Sequence, residues 1–217
     1  MAGESAPFNL FLTGPVGSGK STLLGRLLRR LNWRIGGFRT RPAFDGTGMC
    51  GYCIEPFGAA HGAPSSLIAR RTDRGFEALT SAFDGLGASL LRKALEDRVD
   101  AVVMDEIGFF EERAVAFHDA VMACLDSPLP VLGVLKRSGA SLPRKIRSRQ
   151  DVRVVEVTSD NRDGLLPELL RLVSERHLTG VISFPGGSRD GKDRRCTVCQ
   201  DGQGGLCPSL SGRGGAH

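Results

Sequence analysis

Along the chain, short apolar runs alternate with longer stretches in which apolar residues return every third or fourth position. The first pattern reads as strands and the second as amphipathic helices. Strands are predicted at Phe8–Thr13, Arg34–Thr40, Met49–Glu55, Ala101–Asp105, Leu129–Lys136 and Val152–Thr158. Helices are predicted at Lys20–Leu31, Phe76–Glu96 with a break between Asp84 and Gly87, Glu111–Leu125 and Gly164–Glu175. The run from Val99 to Met104 is nearly all apolar, as expected of a strand covered on both faces. Strands alternating with helices in this way build an α/β fold, a mostly parallel central sheet flanked by helices. Asp45-Gly46 and Gly48 supply turn chemistry, so residues 41–53 are predicted to form a small β-hairpin. In the third helix Ala114, Phe117, His118, Val121, Met122 and Leu125 make one apolar stripe, and His118 on that stripe reads as a packed histidine.

The alternation stops near Pro185. Residues 185–217 hold nine of the 29 glycines and too few apolar side chains for a core. The expected organisation is one domain over residues 1–184, followed by a Gly/Cys-rich tail that is either flexible or metal-binding. A chain of 217 residues, 41% hydrophobic and 24% charged, suits one globular domain with such an appendage and excludes a fibrous or wholly disordered protein. Near the N-terminus the one apolar run, Phe8 to Leu12, is too short for a secretion signal, and no stretch approaches the roughly 18 apolar residues of a membrane span. A cytoplasmic protein without membrane partners is expected, with its six cysteines reduced rather than paired.

The segment Gly14-Pro15-Val16-Gly17-Ser18-Gly19-Lys20-Ser21 fits G-x-x-x-x-G-K-[ST] between a predicted strand and a predicted helix. Glycines let several backbone N–H groups converge on phosphate oxygens, and the helix start adds about half a positive charge. Residues Gly14 to Ser21, with Thr22, are therefore candidate phosphate-binding positions of a P-loop. Lys20 is placed to neutralise charge on the outer phosphates, and the Ser21 hydroxyl to coordinate Mg²⁺. Such a loop needs a carboxylate at the end of a neighbouring strand. Asp105 ends the run Val102-Val103-Met104-Asp105 and is the candidate metal-side acid; Glu106 beside it is the candidate base for an attacking water.

Gly14 to Thr22, Gly36-Gly37-Phe38 with Thr40, Gly51-Tyr52, Leu67-Ile68-Ala69-Arg70, Asp105-Glu106-Ile107-Gly108 with Glu111 and Phe117, and Asn161-Arg162-Asp163 follow one another in a familiar order. From about Asn9 to Val173 the chain resembles the small nucleoside-triphosphatase family described from thermophiles and found in humans as the cancer-related nucleoside-triphosphatase. The resemblance implies a RecA-like P-loop fold and slow, Mg²⁺-dependent hydrolysis of ATP, GTP and other nucleoside triphosphates with little base selectivity. Three departures stand out. Phe109-Phe110-Glu111-Glu112 replaces the usual P-M-E-L, Arg41-Pro42-Ala43-Phe44 replaces a hairpin segment that usually carries Glu and Arg, and Lys136 or Arg137 stands where a histidine is frequent. These changes leave the phosphate chemistry intact and bear on whatever partner or regulatory contact the hairpin makes. Glu111 reads either as an active-site neighbour or as the start of a helix. Asn161 and Arg162 read either as base or ribose contacts or as helix caps, and they do not spell the N-K-x-D of guanine-specific enzymes.

Two other activities share these parts. A nucleotide or small-molecule kinase differs only in what occupies the attack position, and a nucleotide-dependent assembly factor would deliver a metal or cofactor through the tail. Cys196, Cys199 and Cys207 are a candidate zinc or iron–sulfur ligand set, one short of the usual four, with reactive thiols on an open tail as the other reading. Cys50 and Cys53 form a second C-x-x-C on a predicted strand, where residues three apart face opposite sides. The formal net charge of +5 has its source in two acid-free tracts, Arg26 to Arg41 and Lys136 to Arg149. With one Trp and one Tyr there is no aromatic-rich surface for nucleic acid, so a triphosphate accounts for part of the basic balance better than a polynucleotide.

Overall fold

The strands richest in buried apolar residues are interior strands of one eight-stranded sheet. In β1 (Asn9–Thr13) and β7 (Val131–Leu135) every residue is buried. β6 (Ala101–Ile107) is buried everywhere except at Glu106, which is half-buried. The computed structural model that defines these elements describes residues 8–59 and 62–179. The tail predicted over residues 185–217, with Cys196, Cys199 and Cys207, lies outside the described residues.

β2 (Ile35–Asp45), β6, β7, β1 and β8 (Val152–Glu156) lie side by side in that order, all parallel. β3 (Gly48–Pro56), β4 (Ser66–Thr72) and β5 (Gly75–Ala78) continue the sheet beyond β2 by antiparallel pairing. The predicted hairpin is thus not a small appendage. β2 pairs with β6 through Ile35–Arg39 and with β3 through Phe38–Asp45, so one strand belongs to both halves of the sheet.

Alternation along β1 divides the core. Leu10 and Leu12 point to one face, where Leu23, Leu24 and Leu27 of α1 (Lys20–Leu31) and Leu169 and Val173 of α6 (Arg162–Thr179) cover them. Phe11 points to the other, with Phe38, Phe83 and Phe117. That face is covered by α2 (Thr80–Ala82), a π-helical turn at Phe83–Gly87, α3 (Ala88–Glu96) and α4 (Val115–Asp126). α5 (Ser141–Arg147) anchors itself through buried Leu142 and Ile146.

Several boundaries differ from the pattern-based reading. The helix expected from Phe76 begins at Thr80, because Gly75 turns the chain at φ +120° and residues 75–78 pair with β4 instead. The expected break at Asp84–Gly87 is the π-turn. There Asp84 accepts the Phe117 N–H at 3.0 Å, satisfying an amide in the first turn of α4. α4 itself starts at Val115 rather than Glu111, and α5 was not foreseen.

Gly37 shows how tightly the two halves of the sheet join. It has φ +103°, faces Val103 in the β2–β6 register, and a Cβ there would lie 2.0 Å from the Val103 carbonyl oxygen. Gly37→Ala is expected to cost about 1–3 kcal/mol from overpacking, with about 1–2 kcal/mol more for a side chain in the left-handed region. In urea this lowers the unfolding midpoint by about 1 M or more, and an unchanged midpoint would refute the steric argument.

Candidate functional site

All five parallel strands end on one edge of the sheet, where ligands of open α/β folds bind. The first turn of α1 starts there. Its N-cap is Gly19 at φ +90°, with no side-chain cap and no acidic residue in the first turn, so the leading N–H groups are left for an anion. Gly14 allows the loop to approach β8, since a Cβ would come within 2.1 Å of the Val157 carbonyl oxygen. Lys20 is buried and folds back over the loop, donating to the carbonyls of Gly14 at 3.2 Å and Pro15 at 2.7 Å. The Ser18 hydroxyl is buried with no hydrogen-bond partner among the described residues. Pro15, Val16 and Gly17 form the exposed crown of the loop.

The Ser21 hydroxyl donates to Asp105 Oδ1 at 2.8 Å. Burial pushes the Asp105 carboxyl up to about 6; the Ser21 hydrogen bond and the Lys20 charge pull the other way. Glu106, next along β6, is half-buried and pairs with Lys136 Nζ at 2.8 Å. Lys136 follows β7, and its ammonium lies 5.1, 5.4 and 5.7 Å from the ring centres of Phe109, Phe110 and Tyr52. This aromatic cage was not foreseen. Its signal in the sequence is two adjacent phenylalanines directly after the acidic strand end.

Glu111 is 2% exposed and accepts the Gly108 N–H, so it closes the turn after β6 rather than opening a helix. Together with Glu106, Lys136 and Tyr52 it lines a cavity of about 20 Å³, room for a single water. The Glu111 backbone carbonyl lies 2.9 Å from His118 Nε2, and His118 is a half-buried packing residue as its stripe implied.

Asn161 spends both ends of its amide on its own loop. Its Oδ1 accepts from Thr158 N–H at 2.8 Å and its Nδ2 donates to the Glu156 carbonyl at 2.9 Å. Of the two readings, the geometry is that of a helix-leading turn. The half-buried Arg162 side chain packs beside Gly19, and α6 begins at Arg162 rather than Gly164. Thr22, one residue into the helix from Ser21, is exposed.

The basic tracts are largely occupied by local partners. Arg137 pairs with Glu156, Arg149 with Asp126 and Asp151, and Arg147 donates to the Lys136 carbonyl at 2.6 Å. In the first tract Arg26 pairs with Asp163 and Arg34 with Asp100. Cys50 and Cys53 are half-buried free thiols, and among the described residues no three His, Cys, Asp or Glu side chains gather as metal ligands.

Burial raises the Glu111 carboxyl to about 7, with the Gly108 hydrogen bond opposing. Its folded pKa lies above its unfolded value of roughly 4.3, so the native state keeps a proton that the unfolded chain releases. The stability this provides is complete below about pH 4.3 and is lost as pH rises through 7. Glu111→Gln keeps an acceptor for Gly108 and should flatten the fall in urea midpoint across that window. An undiminished slope in the variant would remove Glu111 as its source.

The NTPase family model matches residues 9–170. Nucleoside-triphosphatase THEP1 of Thermotoga maritima is 29% identical over 76% of this chain and 94% of its own length. THEP1 of Thermofilum pendens is 34% identical over 76% of this chain and 95% of its own, and the human cancer-related nucleoside-triphosphatase 30% identical over 76% and 96%. The solution structure of a human cancer-related nucleoside triphosphatase superposes with a TM-score of 0.63 at 26% identity, covering 77% of this chain and 98% of that one. The crystal structure of Aquifex aeolicus THEP1 gives 0.62 at 24% identity, covering 76% and 98%, and so supports the fold. With a phosphate loop whose serine meets a buried aspartate, and relatives of this kind along three quarters of its length, the chain belongs to the P-loop nucleoside-triphosphatase family of THEP1 and the cancer-related nucleoside-triphosphatases.

Proposed function

We propose that this nucleoside-triphosphatase holds its substrate with the phosphates over Gly14 to Thr22 and Mg²⁺ between Ser21 and Asp105, and that Glu106 is the base for hydrolysis. The observation that carries the reading is the Ser21–Asp105 hydrogen bond at 2.8 Å, which brings two hard oxygen donors together at the end of the phosphate loop. The unpartnered Ser18 hydroxyl and the uncapped first turn of α1 fit a polyphosphate in the same place. Bound Mg²⁺ would supply positive charge to the β- and γ-phosphate oxygens.

Lys20, held over the loop by two carbonyls, donates to the outer phosphate oxygens and neutralises charge there as the bond to the leaving group lengthens. Glu106 is oriented through Oε1 by Lys136 and takes the proton of the attacking water at Oε2. Arg162 lies against Gly19 and reaches the phosphate–ribose end of the substrate. Asn161 is committed to its own loop and reads no base edge, which favours broad base acceptance. A cytoplasmic site of action is part of the same proposal. Separately, no helix of the described residues is long and apolar enough to cross a membrane.

Purified protein should release phosphate from ATP, GTP, CTP and UTP at comparable rates, with Mg²⁺ required. Lys20→Ala should lose productive triphosphate binding. Glu106→Gln should still bind but turn over at least about a hundredfold more slowly, and near-normal turnover in that variant would take Glu106 out of the mechanism.

A further inference from the structure

On the β2 side of the phosphate loop lies a second, solvent-open cavity of about 870 Å³, within the range of sites that hold whole small molecules. It meets the loop site along one edge, at Ser21, Thr22 and Asp105. No residue from Gly14 to Lys20 lines it, nor do Asn161 and Arg162. It is therefore a separate space from the cradle over the loop. From the shared edge it runs along α1 to Trp33, facing the segment of β2 from Arg39 to Arg41.

Apart from Asp105 at the shared edge, the charged residues that line it are arginines, Arg29, Arg39 and Arg41. Arg39 and Arg41 share a single carboxylate, Glu55, at 2.5 and 3.4 Å, and so keep one positive charge between them. Arg29, which lines the cavity from α1, is exposed and has no acidic partner among the described residues. Guanidinium groups brought to one cavity by α1 and β2 suit a compact dianion, because each offers paired N–H donors to phosphate oxygens. The remaining lining is aromatic. Trp33 and Phe57 are half-buried, packed against the α1-side core with part of each side chain on the cavity.

We propose that this cavity is a second ligand site, for a phosphomonoester that carries a planar ring, with the phosphate on Arg29 and Arg41 and the ring against Trp33 and Phe57. Nucleoside monophosphates combine the two features. A ligand seated there lies beside the Ser21–Asp105 edge without displacing a triphosphate from the loop.

Trp33 is the chain's one tryptophan, so its emission reports on the cavity directly. The full-length protein is titrated with AMP, GMP, CMP and UMP, and with inorganic phosphate, while Trp33 is excited at the red edge of its absorption, where the bases do not absorb. A saturable change with at least one monophosphate is expected, weaker with inorganic phosphate. Arg29→Ala and Arg41→Ala, both at exposed positions, should weaken that binding at least about tenfold while hydrolysis without monophosphate stays at the wild-type rate. Lys20→Ala should leave the change in place. The proposal is overturned by an unchanged emission up to about 5 mM monophosphate, by indifference to both arginine substitutions, or by loss of the signal in Lys20→Ala. The last result would put the monophosphate on the phosphate loop, and it leaves the reading of the loop itself intact.

Discussion

The site depends on bringing Asp105 to Ser21 although their strands do not touch. Asp105 is on β6, Ser21 follows β1, and β7 lies between. Their hydrogen bond spans 84 positions of sequence, so it is made only if three parallel strands end level. The registers arrange this, with Leu12 of β1 and Asp105 of β6 both standing opposite Val134 of β7. Gly133 of β7 is the residue that makes the packing feasible, since a Cβ there would meet the Phe11 ring at 2.6 Å and the Met104 carbonyl oxygen at 2.8 Å. A slip of one residue in β6 would carry Asp105 about 3.3 Å along the strand and turn it to the other face of the sheet. The apolar runs that look like plain core strands are thus also the ruler that sets the site.

The same edge must hold three carboxylates, Asp105, Glu106 and Glu111, in a partly buried space. Two of them respond to desolvation, with pKa values raised to about 6 and about 7, so burial limits how much negative charge gathers when nothing balances it. The third is paired. Lys136 holds Glu106 and is itself enclosed by Phe109, Phe110 and Tyr52. Phe109-Phe110, which departs from the pattern that the chain resembles, and Lys136, one of the two basic residues that stand where that pattern has a histidine, meet in this one contact. Read singly they look unrelated; in space the aromatic faces are what accommodates a full ammonium at that position.

The phosphate loop, β1, α1 and β6 could be read from the sequence because their signals are local: a spaced glycine motif, a 3.6-residue stripe and a continuous apolar run. β4 and β5 escaped because their evidence is not local. In β5 every residue is exposed, and it is a strand through its pairing with β4 and the turn at Gly75. Residues 76–79 have helix-compatible composition, and the antiparallel partner overrides it. α5 escaped because it is seven residues long and buries only Leu142, Pro143 and Ile146, too few to make a periodic stripe. At the site, the meeting of Ser21 with Asp105 is implied by the motif and its strand. The burial of Glu111 and the capture of Asn161 by its own loop follow from how residues 106–111 and 156–162 curl in three dimensions, and neither leaves a periodic trace.

β2 connects these observations. Its first half is a parallel strand whose end stands beside Asp105, with Arg39 opposite Asp105 in the register; its second half starts the antiparallel extension. Gly37 lets β2 lie against Val103, and a register shift between Ala43 and Phe44 bends its far end. Through β2 the extension is tied to the edge where the parallel strands end. β3 then returns across β2 and places Tyr52 within 5.7 Å of the ring centre of Phe110, which in turn packs on Phe109 at 4.4 Å. The three rings together bound the Lys136 ammonium that orients Glu106. The antiparallel strands are therefore part of the wall of the site: one ring from β3 and one guanidinium from β2 reach the edge where the parallel strands end. A change in hairpin sequence, such as the Arg41-Pro42-Ala43-Phe44 segment of this chain, acts on a structure continuous with the edge that carries Ser21 and Asp105.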